Sequence, residues 1–549
     1  MAIPDFVGLT ARNKIGFVGE EPPVAARKVL EELGGYELYR FEEPHMTESG
    51  QLATTSAVIF RQAANKPKKV LHDLKRYAGA LLWNDCRVFV ETLPATPGGN
   101  GTFFRAWVVK ELNELKLPPS GLSDDEAKGF PEHLGGPRVP ARAPWIHVLD
   151  RPGDWRDVAV LLRNNPPGHP PQSELTIDAT DSAGHRILLT SEQDILLRRA
   201  FWNCSSIRLV GLKNGLSNVL TFRAFAHLRE DAVGGKTPFL YFVKIGERAI
   251  VSKEYTAYCE NALEHIPYHL GPRLRQSRCA LGHTQGIIVG DFVAGAEPLR
   301  DCARDGRAVP VIANLFNSTL RAWHHGARRE ERSLQELLSE ELPLEIPTHR
   351  QKLVDRYGAK RSPEELRRLF MLLDSRPVRV GVVHGDLHAT NVLVRNQDAI
   401  VIDFEKVETR APLLRDMASL EGGLFVDGFI GDRRTWQTLL KSVECLYVAT
   451  AFEDTGSIHC PPSDGSAWFF DCVRQIRMQA TQVEIPPRQY ALALAVALMR
   501  KSCNKIDFSN KGAKARGLSR ESVRALAYLL AERILVGLSG GGRAHGTKR

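Results

Sequence analysis

The sequence predicts an α+β protein in three parts: an α/β unit, a small strand-rich lobe and a larger helical lobe. Three observations predict it. Strand and helix signals alternate between residues 15 and 149, strands dominate from 174 to 292, and beyond 309 the apolar spacing is almost wholly helical. At 549 residues the chain is too long for one hydrophobic core, and length alone suggests about three to four domains.

In the first part, Ile15–Val18 is a short apolar strand and Pro22–Leu33 a helix with apolar residues at helical spacing, ended by Gly34-Gly35. Tyr36–Phe41, Ala57–Phe60, Arg87–Val90 and Trp145–Leu149 supply four further strands. The run F-V-G-E-E-P, followed by helix, Gly-Gly-Tyr and strand, resembles the start of a response-regulator receiver domain. That resemblance implies an acidic metal-binding pair at Glu20-Glu21 and a phospho-accepting Asp after the third strand. Here that strand runs into Arg61-Gln62, so the module is expected to be degenerate and to serve contact or assembly. A plain structural α/β domain accounts for the same pattern.

Residues 1–163 form this receiver-like domain, and the Pro- and Gly-rich run Asn164–Ser173 marks the boundary. Residues 164–190 are a linker and a hairpin turning at Asp181–Gly184, and Ser191 followed by Asp194 reads as a helix N-cap. The strand-rich lobe covers 191–292 and the helical lobe 293–549. Helices are expected at Val309–His325, Ser333–Glu341, His349–Tyr357, Pro363–Leu373, Trp436–Ala451, Trp468–Thr481, Arg488–Lys501 and Arg520–Val536.

The chemistry concentrates in Val382-Val383-His384-Gly385-Asp386-Leu387-His388-Ala389-Thr390-Asn391 and in Ala399-Ile400-Val401-Ile402-Asp403-Phe404-Glu405. Apolar residues lead into a polar loop carrying Asp386 and Asn391, and a second apolar run delivers Asp403 at its end. Phosphoryl transfer needs a carboxylate to orient or deprotonate the attacking hydroxyl, and hard oxygen ligands to hold Mg²⁺ against nucleotide phosphates. Asp386 suits the first role, Asn391 and Asp403 the second.

H-G-D-L-H-x-x-N followed by I-D-F-E resembles the aminoglycoside and choline phosphotransferase group, whose two-lobed fold is that of protein kinases. The resemblance implies a protein-kinase-like phosphotransferase fold, with ATP and Mg²⁺ as cofactors and a hydroxyl compound or protein as acceptor. It implies that His384 braces the catalytic loop and that Asp416, in Arg415-Asp416, accepts backbone hydrogen bonds from it; His388, two residues beyond Asp386, is read as orienting the loop. The short span from Asp403 to Asp416 leaves no room for a long activation loop. The lead-in L-L-R-R-A-F at Leu196–Phe201, with the N-terminal extension, resembles the ternary-complex-associated kinase-like domains of bacterial conflict systems.

Such a fold needs a phosphate-covering turn, a strand lysine and a helix glutamate. Gly211, Gly215, Ser217 and Asn218 fit the turn, by close backbone approach and by hydrogen bonding to phosphate oxygens. Lys244 ends the apolar strand Phe239–Lys244, and Glu254 lies on the following helix as its partner, with Glu260 as the alternative. Gly286–Ala296 is the expected hinge.

Composition bounds the partners. The net charge of +9 is spread along the chain, without the aromatic and basic interleaving of RNA-binding modules, so nucleic acid is not an expected ligand. The apolar run Tyr490–Met499 falls far short of the ~20 residues that span a bilayer and is expected to be a buried helix. The start Met1–Asp5 lacks a secretory pattern, and nine cysteines lie scattered without C-x-x-C, so a cytoplasmic protein with reduced thiols is expected. The leading function is ATP- and Mg²⁺-dependent transfer of a γ-phosphoryl group to an unidentified hydroxyl. The alternative is a non-catalytic nucleotide-binding scaffold in a multiprotein system, with a protein partner on the N-terminal domain.

Overall fold

The computed structural model describes residues 14–34, 36–41, 55–63, 69, 72–74, 76, 86–93, 146–149, 155–164, 172, 174–212, 219–229, 237–281, 285–373, 375–460, 465–504 and 517–541. These divide into two compact units. The first holds Met1–Tyr255 and Arg273–Phe292, the second Thr256–Pro272 and Val293–Arg549.

The first unit contains two sheets. Strands β1 (Lys14–Gly19), β2 (Glu37–Arg40), β3 (Thr55–Ala63), β4 (Arg87–Leu93) and β5 (Ile146–Leu149) pair in the order β2-β1-β3-β4-β5, every pair parallel. Parallel strands need crossovers, and the helices Val24–Gly34 and Trp155–Asn164 lie against the sheet. Ala26 and Leu30 of one and Trp155, Val158 and Leu162 of the other close a core with Ile15, Phe17, Ile59 and Phe89. The order 2-1-3-4-5 is that of flavodoxin-like doubly wound sheets.

The second sheet has the order β10-β11-β9-β8-β7-β6. Its members are β6 (Thr176–Thr180), β7 (Cys204–Gly211), β8 (Leu220–Leu228), β9 (Phe239–Glu247), β10 (Ala280–Leu281) and β11 (Gln285–Asp291). All pairs are antiparallel except β6 with β7. The segment read as a linker hairpin therefore contributes an edge strand to this sheet. Its turn at Asp181–Gly184 is present, closed by a bridge between Thr180 and Arg186.

Two local expectations shift. The helix Ser191–Ala200 is capped by Thr190, not Ser191: Thr190 and Gln193 exchange side chain to backbone bonds of 2.9 and 3.3 Å. T-S-E-Q, not S-E-Q-D, satisfies the capping-box spacing. Lys244 lies three residues inside β9 rather than at its end, since β9 runs on to Glu247.

In the second unit, helices dominate as expected. Gln489–Cys503 is almost entirely buried and packs against Leu414–Gly428 and Arg520–Gly541. Inside this bundle Arg477 donates to both carboxylate oxygens of Glu421, at 3.1 and 2.7 Å, and Tyr490 Oη donates to the same carboxylate at 2.7 Å. The helix Arg248–Ala257 runs into a π-helical turn, Tyr258–Ala262, whose Asn261 carbonyl accepts a 2.8 Å bond from Trp323 Nε1. Among the described residues no helix is long and apolar enough to cross a membrane, and no disulfide is formed.

Candidate active site

The second unit carries the short strands β12 (Glu297–Pro298), β13 (Arg328–Glu330), β14 (Val378–Val383), β15 (Val392–Arg395) and β16 (Asp398–Val401), and the polar loop lies between β14 and β15. β15 and β16 form an antiparallel hairpin in register Val392↔Val401, and β12 adds to the far edge of β15. The loop leaves β14 at His384 and enters β15, a strand of a different sheet, at Val392. The hairpin returns Asp403 towards the loop, because Ile402 N–H donates to the Asn391 carbonyl at 3.0 Å. Local pairing alone thus brings Asn391 beside the segment of Asp403.

Asp416 organises the start of the loop. It is 2 % exposed and sits in the first turn of the helix Leu414–Gly428. Its Oδ2 accepts the His384 N–H at 2.6 Å and its Oδ1 the Gly385 N–H at 3.0 Å. Burial pushes this carboxyl up from its ordinary value, and the two backbone bonds and neighbouring cations oppose that push. His384 is fully buried, and its Nε2 lies 2.9 Å from the Ile402 carbonyl, so Nε2 is the nitrogen that carries the proton. Its ring also packs on Phe404, 5.7 Å between centroids, and Phe404 meets Tyr258 edge-on at 5.9 Å.

Gly385 has φ 76°, and a Cβ there would collide with the carbonyl of Lys406. The glycine between His384 and Asp386 is therefore a backbone requirement. Asp386 follows with its Oδ2 2.8 Å from Lys406 Nζ, and the Asn391 amide donates to the Asp386 carbonyl at 3.1 Å. That bond uses Nδ2 and leaves Oδ1 as the Asn391 group suited to a cation. Asp403, at φ 69°, is one of three non-glycine residues with positive φ among the described residues, an outlier of the kind that gathers at functional sites. An amide oxygen and a carboxylate on adjoining segments form a hard-oxygen set that fits Mg²⁺.

The charges around Asp386 oppose one another. Burial alone would raise its pKa, but Lys501 and the hydrogen-bonded Lys406 hold the carboxyl well below the carboxylate range. Burial, aided by Lys501, pushes His388 down to about 4, and its Nδ1 lies 2.8 Å from Thr390 Oγ1. His388 is thus a neutral ring tethered to its own loop.

In the first unit Lys244 Nζ and Glu254 Oε2 are 2.6 Å apart, both side chains 9 % exposed. Glu260 lies on the π turn and is exposed, which leaves Glu254 as the partner. Gly211 ends β7, where a Cβ would press on the backbone of Asp181 and Ser182 at 3.1 and 3.3 Å. Its close approach is to the chain's own turn. Gly215, Ser217 and Asn218 lie outside the described residues.

Sequence reasoning missed Lys406 and Lys501. Lys406 could have been found, three residues after Asp403 in I-D-F-E-K. Lys501 had no local signal: it ends a long buried helix and reaches Asp386 only through the fold.

Residues 260–419 match the model of the phosphotransferase enzyme family, and residues 356–501 match that of ternary complex associated domain 9. Over residues 260–419 the chain resembles the aminoglycoside phosphotransferase-like group. No curated protein matches it. Among solved structures it is similar to an amicoumacin kinase in complex with AMP-PNP and Ca²⁺, with 12 % identity, 60 % of this chain and 88 % of that one covered, and TM-score 0.34. It is also similar to a glucosamine kinase in complex with glucosamine, ADP and inorganic phosphate, with 13 % identity, 61 % and 84 % covered, and TM-score 0.33. A third is an aminoglycoside phosphotransferase in ternary complex with AMP-PNP and hygromycin B, with 13 % identity, 62 % and 94 % covered, and TM-score 0.33.

Proposed function

We propose that this protein is an ATP- and Mg²⁺-dependent phosphotransferase acting on a hydroxyl group. The observation that carries the reading is the loop held by Asp416, which presents Asp386, Asn391 and Asp403 from adjoining segments. Asp386 orients the acceptor hydroxyl. As the acceptor oxygen bonds to the γ-phosphorus and the bond to the ADP oxygen breaks, the hydroxyl proton passes to Asp386. Asn391 and Asp403 would hold Mg²⁺, which supplies charge neutralisation at the phosphates. Lys244, oriented by Glu254, binds the α- and β-phosphates. His384 and Asp416 position the loop, and His388 fixes its far side.

The N-terminal module is proposed as a degenerate receiver-like domain that docks a protein partner. Its all-parallel order 2-1-3-4-5 supports this. Two residues before the end of β3, Arg61 forms a buried ion pair with Glu91 where the receiver comparison would call for a phospho-accepting Asp.

The test is incubation of the purified protein with labelled ATP, Mg²⁺ and a panel of hydroxyl acceptors, beside Asp386→Asn. Transfer that vanishes in the variant supports the enzyme. Nucleotide binding without transfer to any acceptor selects the scaffold alternative.

A further inference from the structure

A cavity of about 120 Å³ within the second unit has Asp386 in its wall. Its construction follows from the helix Gln489–Cys503. Ala493, Val496 and Ala497 line it at helical spacing, and their small side chains leave room above that face. One turn later the same face carries Arg500 and Lys501, cations in the last turn of the helix, where they suit the helix dipole.

The lining carries four cations, Lys406, Arg415, Arg500 and Lys501, against two carboxylates, Glu341 and Asp386. The carboxylates are engaged. Glu341 is shared by Arg500 and Arg415, and Arg415 also pairs with Glu408 at 2.8 Å. Asp386 is paired with Lys406. Lys501 makes no hydrogen bond or ion pair among the described residues, although Asp427 acts on it electrostatically alongside Asp386. A cationic acceptor would meet this excess of like charge, whereas an oxyanion would supply Lys501 with its partner.

We infer that the acceptor is a small hydroxyl compound bearing a phosphate or carboxylate, held by Lys501 with Arg500 and Lys406 while its hydroxyl faces Asp386. The inference rests on the phosphotransferase reading for the word acceptor, but the anion pocket itself can be tested without ATP. A cavity of this size has room for a three-carbon compound.

The experiment is calorimetric titration of the full-length protein, without nucleotide, with sn-glycerol 3-phosphate, D-glycerate, glycerol and choline. One or both anions should bind, and glycerol and choline should bind far more weakly; which anion binds distinguishes phosphate from carboxylate recognition. Lys501→Met should weaken anion binding on the order of tenfold, and Lys501→Arg should retain most of the affinity. Should Lys501→Met not fold, as judged by thermal melting, the ligand order of the wild type decides alone. Binding of neither anion, a preference for choline, or anion affinity unchanged in folded Lys501→Met would overturn the pocket. Transfer from ATP is scored separately. Anion binding that depends on Lys501, without transfer, keeps the pocket and removes the phosphotransferase. Transfer to choline or an aminoglycoside that ignores Lys501→Met does the reverse.

Discussion

Gly385 shows how one residue can be fixed by backbone space alone. At φ 76° with the Lys406 carbonyl in the place of a Cβ, Gly385→Ala should cost more than about 1 kcal/mol of stability and reduce transfer as the loop shifts. Denaturant unfolding and turnover should fall together, and a fully active, equally stable variant would contradict the geometry. Asp386 and Asp403 should separate in their roles. Asp403→Ala is expected to weaken Mg²⁺-dependent ATP binding far more than Asp386→Ala, since on the proposed roles one removes a metal ligand and the other a nucleophile-orienting group. Calorimetry showing equal losses would mean the roles are misassigned. The placement of these residues was legible in the sequence because Asp386 to Asn391 and the strand leading to Asp403 are local patterns. Lys501 was not, because a lysine at the end of an apolar helix reads as a solvated terminus until its neighbours are known.

At the scale of elements, the alternation of strands and helices placed all five strands of the parallel sheet and most helices of the second unit. Boundaries drifted where tertiary pairing extends a strand, as in β9, whose pairing with β8 and β11 carries it past Lys244. That position makes a sharp contrast with Lys253, exposed on the next helix. Lys244→Met should abolish phosphotransfer and Lys253→Met should leave it nearly unchanged, a comparison that steady-state turnover decides. The short helix Arg321–His325 offers a pH test. Burial, aided by His325, pushes His324 from 6.5 down to about 4, and its ring stacks on Phe316 at 5.9 Å. Between those values the unfolded chain binds more protons than the folded one, so stability rises with pH there and is lost as pH falls below 6.5. Thermal midpoints should drop between about pH 7 and about pH 5, and His324→Gln should lessen the drop; an identical drop in both proteins would refute the assignment.

For the whole molecule, the two hydrophobic clusters of the first unit share no residue: one runs from Ile15 to Leu162, the other from Leu175 to Val289. A protein lacking residues 1–171 should therefore stay folded and bind ATP, while losing any partner of the N-terminal α/β module. Circular dichroism with nucleotide titration checks this, and a soluble truncation that cannot bind ATP would place the N-terminal segment in the nucleotide site. The π turn Tyr258–Ala262 has a different kind of consequence. A π turn holds one residue more than an α-helical path needs, and each residue of an α-helix turns the chain by about 100°. Deleting a single residue here would restore regular winding and swing everything after it around the axis. The Asn261 carbonyl would leave Trp323, and Pro267 onward would start from the wrong azimuth. In this stretch residue number matters more than residue type: many substitutions should be absorbed, and a one-residue deletion should not.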